Sequence, residues 1–259
     1  MNESSGYISV NDKPIYATAF LPDALPAKNA VLLVEPFAEE KRPAFRMLVR
    51  LARKLAEMDC ATLRFDLSGT GDSAGEHEEA TWNAWLDDAN KAAETVKELA
   101  QAPSVTIVGA RAGALLAAQV AIAQKASKLV LVEPIFNGED LLRDLERRQA
   151  IKAMTDNSAA NVDAKNQWDK GEAVDFGGYL FNPTLASQLP TIKLQDQIDT
   201  LNADKCNVKA IRVSASKKLP PAWKAIEENT VCVQDKPFWG QLDYYESDFV
   251  IEAIINALN

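Results

Sequence analysis

The chain has 259 residues, of which 47% are hydrophobic and 25% are charged, and its formal net charge is −9. This composition is that of a globular chain long enough to bury one large core, whereas the acidic balance argues against nucleic-acid binding, which requires a basic surface. No apolar run approaches the roughly 18 residues of a membrane span, and residues 1–6 lack the basic and apolar regions of a secretory signal, so we predict a cytoplasmic protein.

Apolar runs and helical patterns alternate along the first half of the chain. Residues 7–10 and 15–20, separated by the turn-forming Asn11-Asp12-Lys13-Pro14, predict a hairpin. The alternation that follows predicts an α/β fold, in which a mainly parallel sheet carries helices on both faces. The predicted strands after the hairpin cover residues 30–34, 61–65, 105–108 and 129–132, and the predicted helices cover 44–58, 81–99 and 114–124.

The pattern changes after residue 133. From residue 138 to about residue 204 there is no strong strand run, and charged helical patterns dominate, as in residues 141–154. Strand and helix patterns return at 208–213, 230–233 and 249–258. We interpret the chain as a single domain, residues 1–259, with a helical cap inserted at 138–204.

One turn in the chain has unusual chemistry. The strand pattern 105–108 is followed by Gly109-Ala110-Arg111-Ala112-Gly113 and then by a small-residue helix. This arrangement resembles the nucleophile elbow of alpha/beta hydrolases, which normally reads Gly-x-Ser-x-Gly. Arg111 stands where the serine belongs, and a guanidinium cannot attack a carbonyl because it stays protonated and has no lone pair to donate. The turn therefore predicts the fold and argues against serine-dependent chemistry.

Several segments together resemble one family. They are residues 35–41 (EPFAEEK), 66–75 (DLSGTGDSAG) and 81–88 (TWNAWLDD), with further similarity at 177–183 and 237–239. From about residue 31 to residue 258 the chain is similar to alpha/beta hydrolases encoded with bacterial exopolysaccharide and exosortase systems, most closely to exosortase A system-associated hydrolase 2. The 66–75 segment alone is common to many alpha/beta hydrolases, and its combination with the other two is far more specific.

This resemblance implies an alpha/beta-hydrolase fold and implies that arginine at the elbow is a shared trait of the group. Glu35 stands where these relatives commonly carry histidine. No role of that histidine therefore transfers to Glu35.

The sequence does not supply a Ser-His-acid triad. The fold places the catalytic histidine after the last strand, where this chain carries Pro237-Phe238-Trp239, and its single histidine, His77, precedes the elbow. The acid would follow strand 208–213, but residues 214–218 (SASKK) hold no carboxylate. We interpret His77 as a solvated loop histidine and the nearby Ser73 as a residue that hydrogen-bonds within its loop.

Arg111 is expected at the carboxyl edge of the sheet, beside the first free N–H groups of the following helix. Together with the N–H groups of Ala112 and Phe37, the remains of an oxyanion hole, it would bind an anion. Alternatively, because an unpaired buried charge is costly, Arg111 forms an internal salt bridge with Glu35 or Glu39. Both alternatives stay open. The predicted binding residues are Arg111, Ala112, Phe37, Glu35, Glu39 and Trp239.

The remaining polar candidates predict structure more than a site. The basic run 143–148 alternates with acids and is interpreted as a solvated helical face. Cys60, Cys206 and Cys232 lie far apart and have no metal-ligand spacing. We therefore predict neither a metal nor a cofactor.

Three functions remain open. The first is a pseudoenzyme or binding accessory of a bacterial exopolysaccharide or exosortase system, a context that rests on the resemblance alone, with an anionic small molecule or an acyl or sugar compound as ligand. The second is an ester or thioester hydrolase in which Glu35 or Glu39 activates a water and Arg111 stabilises charge. The third is a scaffold that uses the cap to bind a protein partner.

Overall fold

A central sheet of eight strands organises the computed structural model, which describes residues 1–155, 163–239 and 243–259. The strands in chain order are β1 (Asn2–Val10), β2 (Lys13–Leu21), β3 (Asn29–Val34), β4 (Cys60–Phe65), β5 (Val105–Ala110), β6 (Lys128–Val132), β7 (Val174–Asp175), β8 (Leu180–Phe181), β9 (Asn207–Val213) and β10 (Thr230–Val233). The order across the central sheet is β1-β2-β4-β3-β5-β6-β9-β10, and β7 and β8 form a separate two-stranded sheet. The β1–β2 and β2–β4 pairs are antiparallel, and the other neighbours are parallel.

Helices cover both faces of this sheet. They are α1 (Lys41–Glu57), α2 (Trp82–Ala100), α3 (Gly113–Ala123), α4 (Gly138–Thr155), α5 (Ala164–Asp169), α6 (Pro183–Gln188), α7 (Leu194–Ala203) and α8 (Asp248–Leu258). One apolar cluster contains the buried faces of α1 and α8, and a second contains those of α2, α3 and α7. Alternate residues of β3 join different clusters, Leu32 one and Leu33 the other, as expected for a strand buried on both faces.

The predicted α/β architecture is confirmed. The hairpin, the buried strands and the helices all occur where the sequence patterns predict them, with ends moved by a few residues, so that α1 begins at Lys41 and not at residue 44. The short ribbon of β7 and β8 was not expected, because two-residue strands leave no periodic signal. Residues 156–162 of the predicted cap lie outside the described residues, and the division into one domain with a cap at 138–204 stays a prediction.

The segment between β6 and β9 is held to the rest of the fold by polar contacts. The Asn182 side-chain amide donates to the carbonyls of Glu78 and Ala80, and the Trp82 N–H donates to Gln188 Oε1. These bonds attach the β7–β8 ribbon and α6 to the loop that follows β4 and to the first residue of α2, so the ribbon and α6 lie beside the carboxyl end of β4. None of the described helices is long and apolar enough to cross a membrane.

Two glycines allow close packing at the elbow, Gly113 against the backbone that leaves β3 and Gly109 against α3. A Cβ on Gly113 would lie 2.2 Å from Glu35 O and 2.7 Å from Val34 O, and a Cβ on Gly109 would lie 2.4 Å from the Ala117 Cβ. Only a residue without a side chain leaves room at these positions. The start of α3 therefore lies directly against the backbone that leaves β3, which brings residue 111 next to the 35–40 segment.

We expect Gly113→Ala to lower the free energy of unfolding by about 1–3 kcal/mol, because its methyl group overlaps backbone atoms that cannot move aside cheaply. Urea unfolding followed by circular dichroism measures the change. Gly6→Ala is the matched control, since nothing lies within 4 Å of a Cβ at that strand position. Equal stability of the two variants would contradict the close packing at the elbow.

Candidate functional site

Arg111 stands at the tip of the elbow in a strained backbone conformation. Its φ is +53°, in the left-handed region that residues other than glycine seldom occupy. The Arg111 N–H donates to Val132 O, and the Arg111 carbonyl accepts from Ala114 and Ile135. The sharp turn between β5 and α3 is thus formed as the sequence predicts, with arginine at the position of the nucleophile.

The Arg111 side chain is buried and held by an internal salt bridge. Its Nε and Nη2 each lie 3.0 Å from one oxygen of Glu40, a two-pronged pairing that matches guanidinium to carboxylate. The third nitrogen, Nη1, donates to Glu133 O at 3.2 Å. The Trp239 ring covers one face of the guanidinium, with its centroid 4.4 Å from the Arg111 Cζ.

The partner of Arg111 is Glu40, so the predicted pairing with Glu35 or Glu39 is wrong. The cause is a short helical turn at Ala38–Glu40, which begins with Ala38 at a φ of +50° and directs Glu40 into the core and Glu39 outward. Glu39 is exposed, and its carboxylate lies against the backbone of Gly177.

Glu40 binds a second guanidinium. Arg148 of α4 donates to Glu40 Oε1 at 2.5 Å, the same oxygen that accepts from Arg111 Nη2. The prediction of a wholly solvated face for 143–148 therefore fails at Arg148, whereas Arg143 and Arg147 are exposed. Two cations thus share one buried carboxylate, and a second carboxylate, that of Asp144, lies 3.9 Å from Arg111 Nη2.

Glu35 belongs to a separate buried network. Its Oε1 accepts from Arg64 Nε at 2.6 Å, and its Oε2 lies 3.5 Å from Lys41 Nζ. Lys41 also donates to Asp66. Burial alone would lower the pKa of Lys41, but Glu35 and Asp66 outweigh that effect and raise it. Glu35 is therefore committed to holding cations of the core.

A small enclosed cavity of about 30 Å³ adjoins this network, and Glu35, Phe37, Lys41 and His77 line it. Phe37 stacks edge-on against Trp82. A cavity of this size holds about one water molecule. The predicted binding residues Glu35 and Phe37 thus lie at this small cavity, while Ala112 is buried beneath the elbow.

His77 is half-buried, so its interpretation as a solvated loop histidine is wrong. Its ring contacts Trp85, Tyr179 and Phe181, and its Nδ1 lies 2.6 Å from Leu180 O. Because a carbonyl only accepts, Nδ1 carries the proton and Nε2 keeps the lone pair. Burial lowers the pKa of His77. The ring connects the β7–β8 ribbon to the loop that follows β4.

The serines near His77 are occupied by structural hydrogen bonds. Ser73 Oγ donates to Asp66 O and accepts from Tyr16 N–H, which confirms its predicted role in the loop. Ser68 Oγ donates to Asp88. Neither hydroxyl is paired with His77 in the way that a serine nucleophile is paired with its base.

A much larger cavity, of about 560 Å³, opens beside Arg111 and Trp239. Phe136, Trp223 and Trp239 supply its aromatic wall. Its described charged lining consists of Arg111, Arg143, Arg147 and Arg212 together with Glu133, Asp140 and Asp144. Positions 140, 143, 144 and 147 repeat at helical spacing, so they lie on one face of α4. Of the predicted binding residues, Arg111 and Trp239 line this cavity.

Glu133 is the buried carboxylate among the acids that line this cavity. It follows β6 directly, has a φ of +45° and is buried. Its Oε1 accepts from Val213 N–H at 3.2 Å and from Arg212 Nη1 at 3.3 Å. Burial raises the pKa of Glu133 to about 7, although Arg212, Arg111 and the Val213 N–H each act to lower it.

Sequence reasoning missed Glu133, Arg212, Arg148 and the pairing of Glu40. A signal existed for Glu133, because an acid that follows a buried strand lies at the same edge of the sheet as the elbow. Among the described residues, no group of three or more His, Cys, Asp or Glu side chains is arranged to hold a metal ion.

Comparisons with known proteins agree with this geometry. Residues 27–234 match the family described as "Serine aminopeptidase, S33". A search of curated protein sequences found no match.

Solved structures are similar over nearly the whole chain. Est1E from Butyrivibrio proteoclasticus with bound ferulic acid is 19% identical, with a TM-score of 0.71, over 98% of this chain and 97% of its own. The complex of DcsB with its substrate analogue is 15% identical, with a TM-score of 0.66, over 99% of each chain. The alpha/beta hydrolase GrgF from Penicillium sp. sh18 is 13% identical, with a TM-score of 0.62, over 100% of this chain and 96% of its own. The chain therefore has the alpha/beta-hydrolase fold.

We expect Glu40→Gln to lower the free energy of unfolding by about 3 kcal/mol or more, because it leaves the buried Arg111 with only the more distant carboxylate of Asp144, 3.9 Å away, as counter-charge. Urea unfolding measures this loss. Glu246→Gln is the matched control, since Glu246 also pairs with two arginines, Arg46 and Arg50, but is exposed. The control should cost less than about 1 kcal/mol, and similar losses in both variants would show that the buried pair contributes nothing special.

Proposed function

Because the chain belongs to the serine aminopeptidase S33 family of alpha/beta hydrolases, we propose that it has lost serine-dependent hydrolysis and binds an anionic small molecule in the cavity beside Arg111. The observation that carries the proposal is the arginine at the nucleophile position, paired internally with Glu40. A guanidinium held in this way cannot attack an acyl carbon, and it stands at the position that a serine nucleophile would occupy.

The other parts of a serine mechanism are replaced as well. Ser214 follows β9 where the acid belongs, and Trp239 covers Arg111 where the fold would bring the histidine. His77 lies at the small cavity and not at the large one. These replacements support a pseudoenzyme, since a general base and a nucleophile must lie within hydrogen-bonding reach of each other.

The charge of the large cavity favours an anion as ligand. Four arginines and three acids are found in its described lining, and the adjoining pair of Arg148 and Glu40 adds one charge of each sign. The chain as a whole has a net charge of −9. A positive cavity in an acidic protein attracts negatively charged ligands and orients them.

The finer parts of the proposal rest on the sequence. The resemblance supports a role in a bacterial exopolysaccharide or exosortase system, and the anion site predicted at Arg111 supports an anionic small molecule, or an acyl or sugar compound, as ligand. The N–H groups of Ala112 and Phe37 stay predicted remnants of an oxyanion hole, and Trp239 stays a predicted wall for the ligand. A cytoplasmic location and a protein partner at the cap also stay predictions.

A second candidate is hydrolysis by a carboxylate-activated water, and one observation favours it. Glu133 lines the large cavity and its pKa is raised to about 7, which suits a general base near neutral pH. Glu35 is ion-paired in the core and Glu39 is exposed. In this mechanism the Glu133 carboxylate takes a proton from water as the water oxygen attacks an ester carbonyl, and Arg111 stabilises the negative charge that forms on the carbonyl oxygen. The bond from carbon to the alcohol oxygen then breaks, and protonated Glu133 gives its proton to the leaving alcohol, which leaves a carboxylic acid as the other product.

Glucuronate and benzoate should both raise the melting temperature if the large cavity binds carboxylates. At ten times the dissociation constant, linkage gives about 1.4 kcal/mol, or about 3–6 °C. Differential scanning fluorimetry measures the shift, and glucose and benzyl alcohol, which match the two probes but carry no charge, should leave it unchanged. The proposal is wrong if neither carboxylate stabilises the protein more than its neutral counterpart.

Hydrolytic assays separate the two candidates. A pseudoenzyme is not labelled by a fluorophosphonate probe and does not hydrolyse p-nitrophenyl acetate above the buffer rate. The second candidate predicts hydrolysis that rises with pH through about 7, as Glu133 loses its proton, and that disappears in Glu133→Gln. Labelling of any serine would contradict both.

A further inference from the structure

Two arginines of the large cavity are not exposed, Arg111 and Arg212, and Arg212 uses less of its hydrogen-bonding capacity than Arg111. It lies near the end of β9, and its Nη1 donates to Glu133 at 3.3 Å. Its Nε is buried and has no hydrogen-bond acceptor within the part of the chain that the structure describes. A buried N–H without a partner costs about 1–3 kcal/mol. In Arg111, by contrast, all three nitrogens donate to protein oxygens.

The anion that now neutralises Arg212 is held loosely. Glu133 accepts from Arg212 and from Val213 N–H through one oxygen, at 3.3 and 3.2 Å, near the long limit for hydrogen bonds. A charge-assisted pair at its best distance is closer to 2.8 Å. Burial raises the pKa of Glu133 to about 7, so near neutral pH the carboxyl is neutral about half of the time.

We infer that Arg212 anchors the carboxylate of the ligand. The ligand carboxylate replaces Glu133 as the anion beside Arg212, and the Glu133 carboxyl takes up a proton as the ligand binds. This inference rests on the proposed function and assigns the anchor to Arg212 in place of Arg111. Once protonated, Glu133 has an O–H donor, so it contributes a hydrogen bond to the ligand in place of repulsion. The ligand carboxylate then lies between the Arg212 guanidinium and the neutral Glu133.

The other charges that face Glu133 come from two elements. The elbow contributes Arg111, and α4 contributes two ion pairs, Asp140 with Arg143 and Asp144 with Arg147. Each aspartate is paired with an arginine three residues further along the same helix, and Asp144 Oδ2 also lies 3.9 Å from Arg111 Nη2. The single histidine, His77, lines the small cavity.

The sign of the pH dependence follows from this exchange. Below the pKa of Glu133 the carboxyl is already neutral, so ligand binding takes up no proton and affinity is greatest. Above it, each binding event must first protonate Glu133, so affinity falls as pH rises. With a pKa of about 7, affinity at about pH 8 is about tenfold lower than at about pH 6.

Isothermal titration calorimetry of the full chain with glucuronate and with benzoate tests the inference. Both probes stay ionised between about pH 6 and about pH 8, so they contribute no protons of their own. At about pH 8, titrations in two buffers of different ionisation enthalpy should report uptake of about one proton by the wild type. Glu133→Gln should bind equally well at both pH values and take up no proton.

Substitution of the anchor gives the second readout. Arg212→Gln should weaken binding at about pH 6 at least tenfold (about 1.4 kcal/mol), whereas Arg53→Gln, which removes an exposed arginine paired with Glu3, should not change it. Because Arg212→Gln also strips Glu133 of its cation, the double variant Arg212→Gln with Glu133→Gln is measured too. The double variant should bind as weakly as Arg212→Gln alone.

The outcomes are distinguishable. If the wild type binds neither carboxylate, the proposed function fails. If the wild type binds them and both Arg212 variants bind as tightly as the wild type, the anchor is elsewhere. The further inference is then overturned while the proposed function stands. Binding that is independent of pH in the wild type overturns the exchange at Glu133.

Discussion

The site is organised by the need to neutralise a guanidinium buried at the tip of the elbow. An uncompensated charge in that position would cost several kcal/mol. Glu40 supplies the counter-charge with both oxygens, and the Ala38–Glu40 turn, with its left-handed start, directs it inward. Arg148 and Trp239 then close around the pair. Three segments therefore contact this one ion pair: the turn after β3, helix α4, and the segment that follows β10.

The pair also determines which chemistry the fold retains. The strained backbone of the elbow is formed although Arg111, the residue at its tip, is not a nucleophile. Two cavities of very different size remain near it, a small one beside His77 and a large one beside Arg111 and Glu133. Only the large one has room for an organic ligand. The charged side chains of the large cavity are the basis for the proposed binding of an anion and for its anchoring by Arg212.

The fold could be predicted from the sequence because its signals are local. The buried strands are continuous apolar runs, α1 has Leu48, Leu51 and Leu55 at helical spacing, and the Gly-x-x-x-Gly turn identifies the elbow. The pairing of Arg111 could not be predicted, because Glu35 is buried but is paired with Arg64, and of Glu39 and Glu40 only Glu40 points inward. That choice is made by a single positive φ at Ala38, for which the sequence gives no sign because alanine rarely adopts it.

Other features of the site could not be predicted because they arise between distant segments. His77 is buried by Tyr179 and Phe181, which lie about a hundred residues further along the chain in a ribbon with no periodic signal. Arg212 meets Glu133 only because β6 and β9 are neighbours in the sheet. In both cases tertiary packing, and not local pattern, decides the environment of the side chain.

The most direct test of this account is a double-mutant cycle on the central ion pair, with Arg111→Met, Glu40→Gln and the combined variant compared by urea unfolding. We predict strong coupling, of at least about 2 kcal/mol, because removing both charges leaves neither one buried without its partner. Additivity of the two single changes within about 0.5 kcal/mol would contradict the account. It would mean that the buried pair does not hold the elbow and the large cavity together.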